Sequence, residues 1–171
     1  MKASTRHVLL ITVLAFLFVV IIVFNSSLFI NSDYINEQSN ITSFQISGIS
    51  MEPEFIHNEA IDVDKSAYTQ SLPKLGDVIA FQFENSKDPI IKRVVATTGD
   101  IVKIEDGWLW INQEKKIPSG RFNNKIWIEG ESYTIKQDKY FVLSDNSSIG
   151  EDSRIWGLVS KKDVIGKVLT R

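Results

Sequence analysis

The sequence predicts a mainly β domain of coiled antiparallel sheets, partly barrel-like, preceded by one N-terminal transmembrane helix. Three observations predict it. Val8 to Phe24 is apolar apart from Thr12. After it, short apolar or alternating runs recur with turn residues between them. No long helical period appears after residue 30.

Residues 1–7 form a short flank carrying Lys2 and Arg6, and the next Lys or Arg is Lys65. A bilayer core takes about 20 apolar residues as helix, with about 17 at the low end. The positive-inside rule then keeps residues 1–7 cytoplasmic and exports the chain beyond the apolar stretch. A cleaved signal peptide would have a shorter apolar region, about 7–15 residues, ending in a small-x-small site. The end of this stretch, "VFNSSLF", is a poor cleavage site. Residues 8–30 are therefore expected to be an uncleaved signal anchor in the cell membrane. Residues 31–42, rich in Asn and Ser, read as a linker. Residues 43–171 read as a single extracytoplasmic domain.

Within that domain the expected strands are "SFQIS", "AIDVD", "VIAFQF", "IIKRVVA", "DIVKIE", "WLWIN", "KIWIE", "YFVLS" and "GKVLT". Asp106-Gly107 between two of them is the strongest hairpin signal. Strands this short and numerous suggest antiparallel sheets that curl toward a barrel.

Composition excludes several chemistries. A net charge of −2 without a basic stripe gives no reason to expect a nucleic-acid partner. There is no cysteine, hence no disulfide, thiolate nucleophile or cysteine metal site. The histidines are His7 and His57 alone, too few for an ordinary zinc site. No metal and no cofactor are expected. A serine–histidine–aspartate triad would have to use His57, seven residues beyond Ser50.

Three stretches carry groups that could do chemistry. "QISGISMEPEF" presents Ser50 in a turn before Met51, and a serine hydroxyl needs a base to become a nucleophile. "DPIIKRVVATTGD" places Lys92 on the same strand face as Ile90 and Val94, with Arg93 on the other. Burial there would lower the amine's pKa and let it act as a base. The same pattern also fits a solvent-facing lysine guarding an edge strand. "YFVLSDNSSIGEDSRIWG" ends a strand in a polar loop bearing Asp145, Asn146, Asp152, Ser153 and Arg154, which fits either a site or an ordinary turn.

Taken in order, these segments resemble the type I signal peptidases, membrane-anchored serine–lysine proteases. "SGISMEP" is similar to the family's nucleophile box, "GDVIAFQ" to its second box, and "IKRVVATTGD" to its lysine box. "SDNSSIGEDSRIWG" is similar to its last box. The resemblance runs from the anchor to near residue 168. It implies Ser50 as nucleophile, Lys92 as general base and an acyl-enzyme on Ser50. The Ser50 N–H would help hold the oxyanion, near Gly48 and Met51. Supporting pairs are implied between Arg93 and Asp145 and between Asp152 and Arg154, beside Asn146 and Ser153. Implied substrates are exported preproteins with small side chains at the first and third positions before the cut.

The chain departs from the family at several points. Glu54 replaces the usual threonine, and "ATTGD" lacks the usual proline. Ser144 stands where glycine normally precedes Asp-Asn. Gly150 stands where the family often has a serine whose hydroxyl orients the lysine. Ser147, Ser148 or a bridging water would have to take over that hydrogen bond. Two alternatives stay open. One is a dedicated peptidase maturing a single secreted or pilin-like substrate. The other is an inactive anchored binding domain.

Overall fold

The computed structural model describes His7, residues 13–25 and residues 40–169. The chain divides into two units, Met1–Asn40 and Ile41–Arg171. In the first, residues 13–25 form a helix, α1. Its Val13, Leu14 and every side chain from Phe16 to Phe24 are exposed. Among the described residues no helix is long and apolar enough to cross a membrane. The rest of the expected 8–30 anchor, and the 31–42 linker up to residue 39, lie outside the described residues.

The second unit is built of antiparallel strands. They are β1 (Ile41–Gln45), β2 (Ala60–Asp64), β3 (Val78–Phe81), β4 (Ile90–Ala96), β5 (Ile101–Glu105) and β6 (Trp108–Ile111). Next come β7 (Glu114–Pro118), β8 (Ser132–Thr134), β9 (Lys139–Leu143), β10 (Val159–Ser160) and β11 (Val164–Leu169). A one-turn helix α2 (Ser153–Trp156) and a 3-10 turn (Lys161–Asp163) complete it. The strands form a seven-stranded sheet, β1-β2-β11-β3-β4-β9-β10, and a four-stranded sheet, β7-β6-β5-β8. Among the described residues neither sheet closes on itself, so the expected antiparallel sheets are present and the barrel-like part of the expectation is corrected to two separate sheets. β11 enters between β2 and β3 from the far end of the sequence. A Cβ on Gly166 would run into the Asp64 backbone, so that close crossing requires glycine.

The hairpin at Asp106-Gly107 has positive φ at both residues, 50° and 74°, as a tight two-residue turn demands. "KIWIE" is not a strand. Asn123 organises a turn instead: its carbonyl accepts from the N–H groups of Ile126 and Trp127, and its Oδ1 from that of Lys125. The Trp127 ring is buried there and donates to Ser153 O at 2.8 Å. β7, mostly polar in sequence, is a strand because it pairs with β6.

Three apolar clusters hold the domain together, and two of them frame the site. Ile46, Met51, Phe55, Ile61, Val63, Val78, Ala80 and Val168 pack beneath the turn that carries Ser50. Ile79, Phe81, Val94, Tyr140, Val142 and Val159 pack together across β3, β4, β9 and β10. Each fully buried aliphatic or aromatic side chain of this kind contributes roughly 1.5–3 kcal/mol. The Ser50 turn and the Lys92 strand therefore rest on a close-packed base.

Candidate active site

The turn bearing Ser50 is fixed from both sides. Gly48 has φ 89°, a conformation glycine adopts without steric cost. Its N–H donates to His57 Nδ1 at 3.0 Å. His57 thus braces the backbone two residues before Ser50. Met51 is 1% exposed and anchors the turn in the apolar cluster beneath. On the other side, Asn146 N–H donates to Ser50 O at 3.0 Å, and Asn146 Nδ2 to Ile49 O at 3.4 Å.

Lys92 comes from β4, between β3 and β9. The register places it opposite Ile79. The side chain is 4% exposed, and its Nζ lies 2.7 Å from Ser50 Oγ. Burial penalises the ammonium and brings its pKa down from 10.5 to about 8, against the opposing pull of Asp152 and Asp145. An edge-strand lysine would be solvated, so that reading of Lys92 is set aside.

Two arginine–carboxylate pairs flank this contact. Arg93 Nε and Nη2 donate to the two oxygens of Asp145 at 2.8 and 2.7 Å, a bidentate pair, and Nη1 donates to Gly76 O. The pair ties β4 to the loop after β9. The Asp145 bond holds the Arg93 guanidinium above its ordinary pKa, against partial burial. Glu54 approaches the same guanidinium at 4.0 Å. Asp152 and Arg154 are both buried. Asp152 Oδ1 accepts from Arg154 N and Nε, and Oδ2 from Arg154 Nη2 and the Ser144 N–H. Arg154 also donates to Ser119 O and Ser147 O, so its guanidinium is well satisfied. Ser153 Oγ accepts from Val142 N–H at 2.9 Å, linking α2 to β9.

Ser147 and Ser148 do not reach Lys92. Ser148 Oγ donates to Asn146 Oδ1, and the Ser147 carbonyl serves Arg154. His57 is engaged through Nδ1 with Gly48, and Ser50 Oγ has Lys92 as its neighbour, so the triad reading has no geometry behind it. The role of His57 as a brace was not legible in the sequence, where nothing marks its return to Gly48. Nor does the sequence show that a Cβ on Gly150 would fall on Ser144 Oγ. Among the described residues, no group of His, Asp and Glu could hold a metal ion.

A cleft of about 460 Å³ opens beside the Ser50–Lys92 contact. Phe44, Ile46, Met51, Ile90 and Ile91 give it an apolar lining, and Gln45, Ser47 and Asp88 a polar margin. The ladder between β9 and β4 starts at Arg93, leaving Ile90 and Ile91 without a β9 partner.

A serine hydroxyl against a buried lysine, opening on a cleft, is an arrangement suited to acyl transfer. A family profile described as signal peptidase, peptidase S26, matches residues 5–171. The chain belongs to that family. It is a serine endopeptidase of the type I signal peptidase kind. It is 30% identical over 148 residues to signal peptidase IB of Staphylococcus aureus, covering 77% of each chain. It is 27% identical over 132 residues to a probable signal peptidase I-2 of Synechocystis, covering 74% of this chain and 60% of that one. A crystal structure of a signal peptidase I from Enterococcus faecalis is 25% identical, with a TM-score of 0.46, over 58% of this chain and 98% of that one.

Proposed function

We propose that this peptidase removes signal peptides from exported preproteins with Ser50 as nucleophile and Lys92 as general base, held at the membrane by the 8–30 segment. The observation that carries the reading is the 2.7 Å approach of Lys92 Nζ to Ser50 Oγ at a lysine only 4% exposed.

The chemistry derives from those groups. Neutral Lys92 takes the Ser50 proton as Oγ attacks the scissile carbonyl carbon. The Ser50 N–H, which has no hydrogen-bond partner among the described residues, is available to the developing oxyanion. The Lys92 ammonium returns the proton to the departing amine, and the acyl group stays on Ser50. Water then gives a proton to Lys92, attacks the ester carbonyl, and Ser50 regains its hydrogen. Arg93, Asp145 and Asn146 hold the lysine strand and the serine turn in register. Asp152, Ser153 and Arg154 hold the loop behind them.

The apolar cleft fits an extended substrate segment, which would lie along the unpaired edge at Ile90 and Ile91. The exposed apolar side chains of α1 support anchoring, since water is a poor solvent for a helix that is apolar all round. By the positive-inside rule, Lys2 and Arg6 would stay cytoplasmic and the peptidase domain would be exported.

The test is cleavage of a preprotein panel by the full-length protein in detergent, beside Ser50→Ala and Lys92→Ala. Cut sites after small residues, lost in both variants, are expected. Cleavage that survives either substitution removes that residue from its role.

A further inference from the structure

We propose that Ser144 is the positioning residue that orients the Lys92 amine, and that Gly150 is glycine because the Ser144 hydroxyl occupies the space its side chain would fill. This rests on the reading of Lys92 as general base.

Two independent observations carry the inference. The first is register. β4 and β9 pair Arg93 with Leu143 and Val94 with Val142. The ladder ends at Arg93, and one further step in the same register would set Lys92 opposite Ser144. Directly opposed residues of an antiparallel pair project to one face, with Cβ atoms about 4.5–5.5 Å apart. The second is space. A Cβ built on Gly150 would fall on Ser144 Oγ, 2.5 Å from Ser144 Cβ and 3.0 Å from Ser50 Cβ. Ser144 therefore stands beside Gly150 and near Ser50, and it is 3% exposed.

The hydroxyl chemistry fits. A serine hydroxyl has one hydrogen to donate and two lone pairs to accept with. Ser144 Oγ donates to Glu151 O, at a long 3.4 Å, which leaves the lone pairs for a lysine N–H. Lys92 Nζ has Ser50 Oγ as its partner and no other among the described residues, so N–H groups remain to be placed. An amine held by one contact can rotate. The proposed second contact, from a Lys92 N–H to Ser144 Oγ, would aim the amine lone pair at the Ser50 proton. Asp145 and Asp152 are the charged groups that act on Lys92, and the Ser144 side chain bonds to neither.

The experiment compares full-length wild type with Ser144→Ala, Gly150→Ser and Ser144→Gly/Gly150→Ser. It reads kcat and KM for a cleaved preprotein, and the Lys92 titration by ¹⁵N NMR of lysine-labelled protein. Ser144→Ala is expected to lower kcat by about tenfold with KM unchanged, the scale of one hydrogen bond. It should also move the Lys92 titration to lower pH, because a hydroxyl acceptor favours the ammonium. Gly150→Ser alone should lose more, since its side chain collides with Ser144. The exchanged pair should recover most of that loss. A Ser144→Ala protein with unchanged Lys92 titration overturns the proposal, as does an exchanged pair no better than Gly150→Ser. Cleavage surviving Lys92→Ala would instead overturn the assignment of the base, and the titration would still judge the Ser144 contact.

Discussion

Replacing Lys92 by methionine should abolish cleavage and yet stabilise the protein below about pH 8. The side chain is 4% exposed, and burial lowers its pKa from 10.5 to about 8. At ~1.4 kcal/mol per pKa unit, keeping this ammonium in the folded state costs about 3 kcal/mol. The pH dependence has a defined sign. Between about pH 8 and 10.5 the unfolded chain holds a proton that the folded chain has released, so wild-type stability rises with pH through that window. Below it both states are charged, and the whole cost is present. Methionine has a similar reach and no charge. It forfeits the contact to Ser50, about 1 kcal/mol, which leaves a net gain of about 2 kcal/mol at pH 6. The gain should vanish at about pH 10. Urea unfolding of full-length protein in detergent, tracked by tryptophan fluorescence at pH 6 and pH 10, measures both ends. A methionine variant no more stable than wild type at pH 6 would refute the reasoning. So would a gain of equal size at both pH values, because a desolvated ammonium cannot produce it.

With Lys92 as the proposed base, the same pKa should shape the rate profile. The neutral fraction of Lys92 rises from about a tenth at pH 7 to about nine tenths at pH 9, so kcat/KM should climb nearly tenfold and level off; a profile flat across that interval would exclude Lys92 as the base. Asp152→Ala should cost about 3–5 kcal/mol in urea unfolding, because it strands the buried Arg154 guanidinium without its carboxylate. A loss below about 1 kcal/mol would mean that water reaches Arg154.

Some of this molecule is written in contiguous residues. The alternation through "IIKRVVA" marks β4, and Asp106-Gly107 marks the hairpin between β5 and β6, because strand pleat and turn sterics act over a few neighbouring residues. The four boxes are likewise short strings, so they point to Ser50 and Lys92 with no contact between the two in view. Other features depend on chain segments far apart. Ser50 and Lys92 are 42 residues apart, and their approach comes from packing β4 against the turn on Met51. The local pattern at Lys92 suits an edge lysine as well as a buried one, and the surrounding sheet removes the water that would distinguish them. "KIWIE" has a strand's alternation, but Asn123 draws its backbone into a turn and Ser153 captures the Trp127 ring. In sequence, Ser144 and Gly150 are two separate departures from a familiar pattern. In space they are one, because two side chains cannot fill the same volume and the fold brings both positions to Ser50.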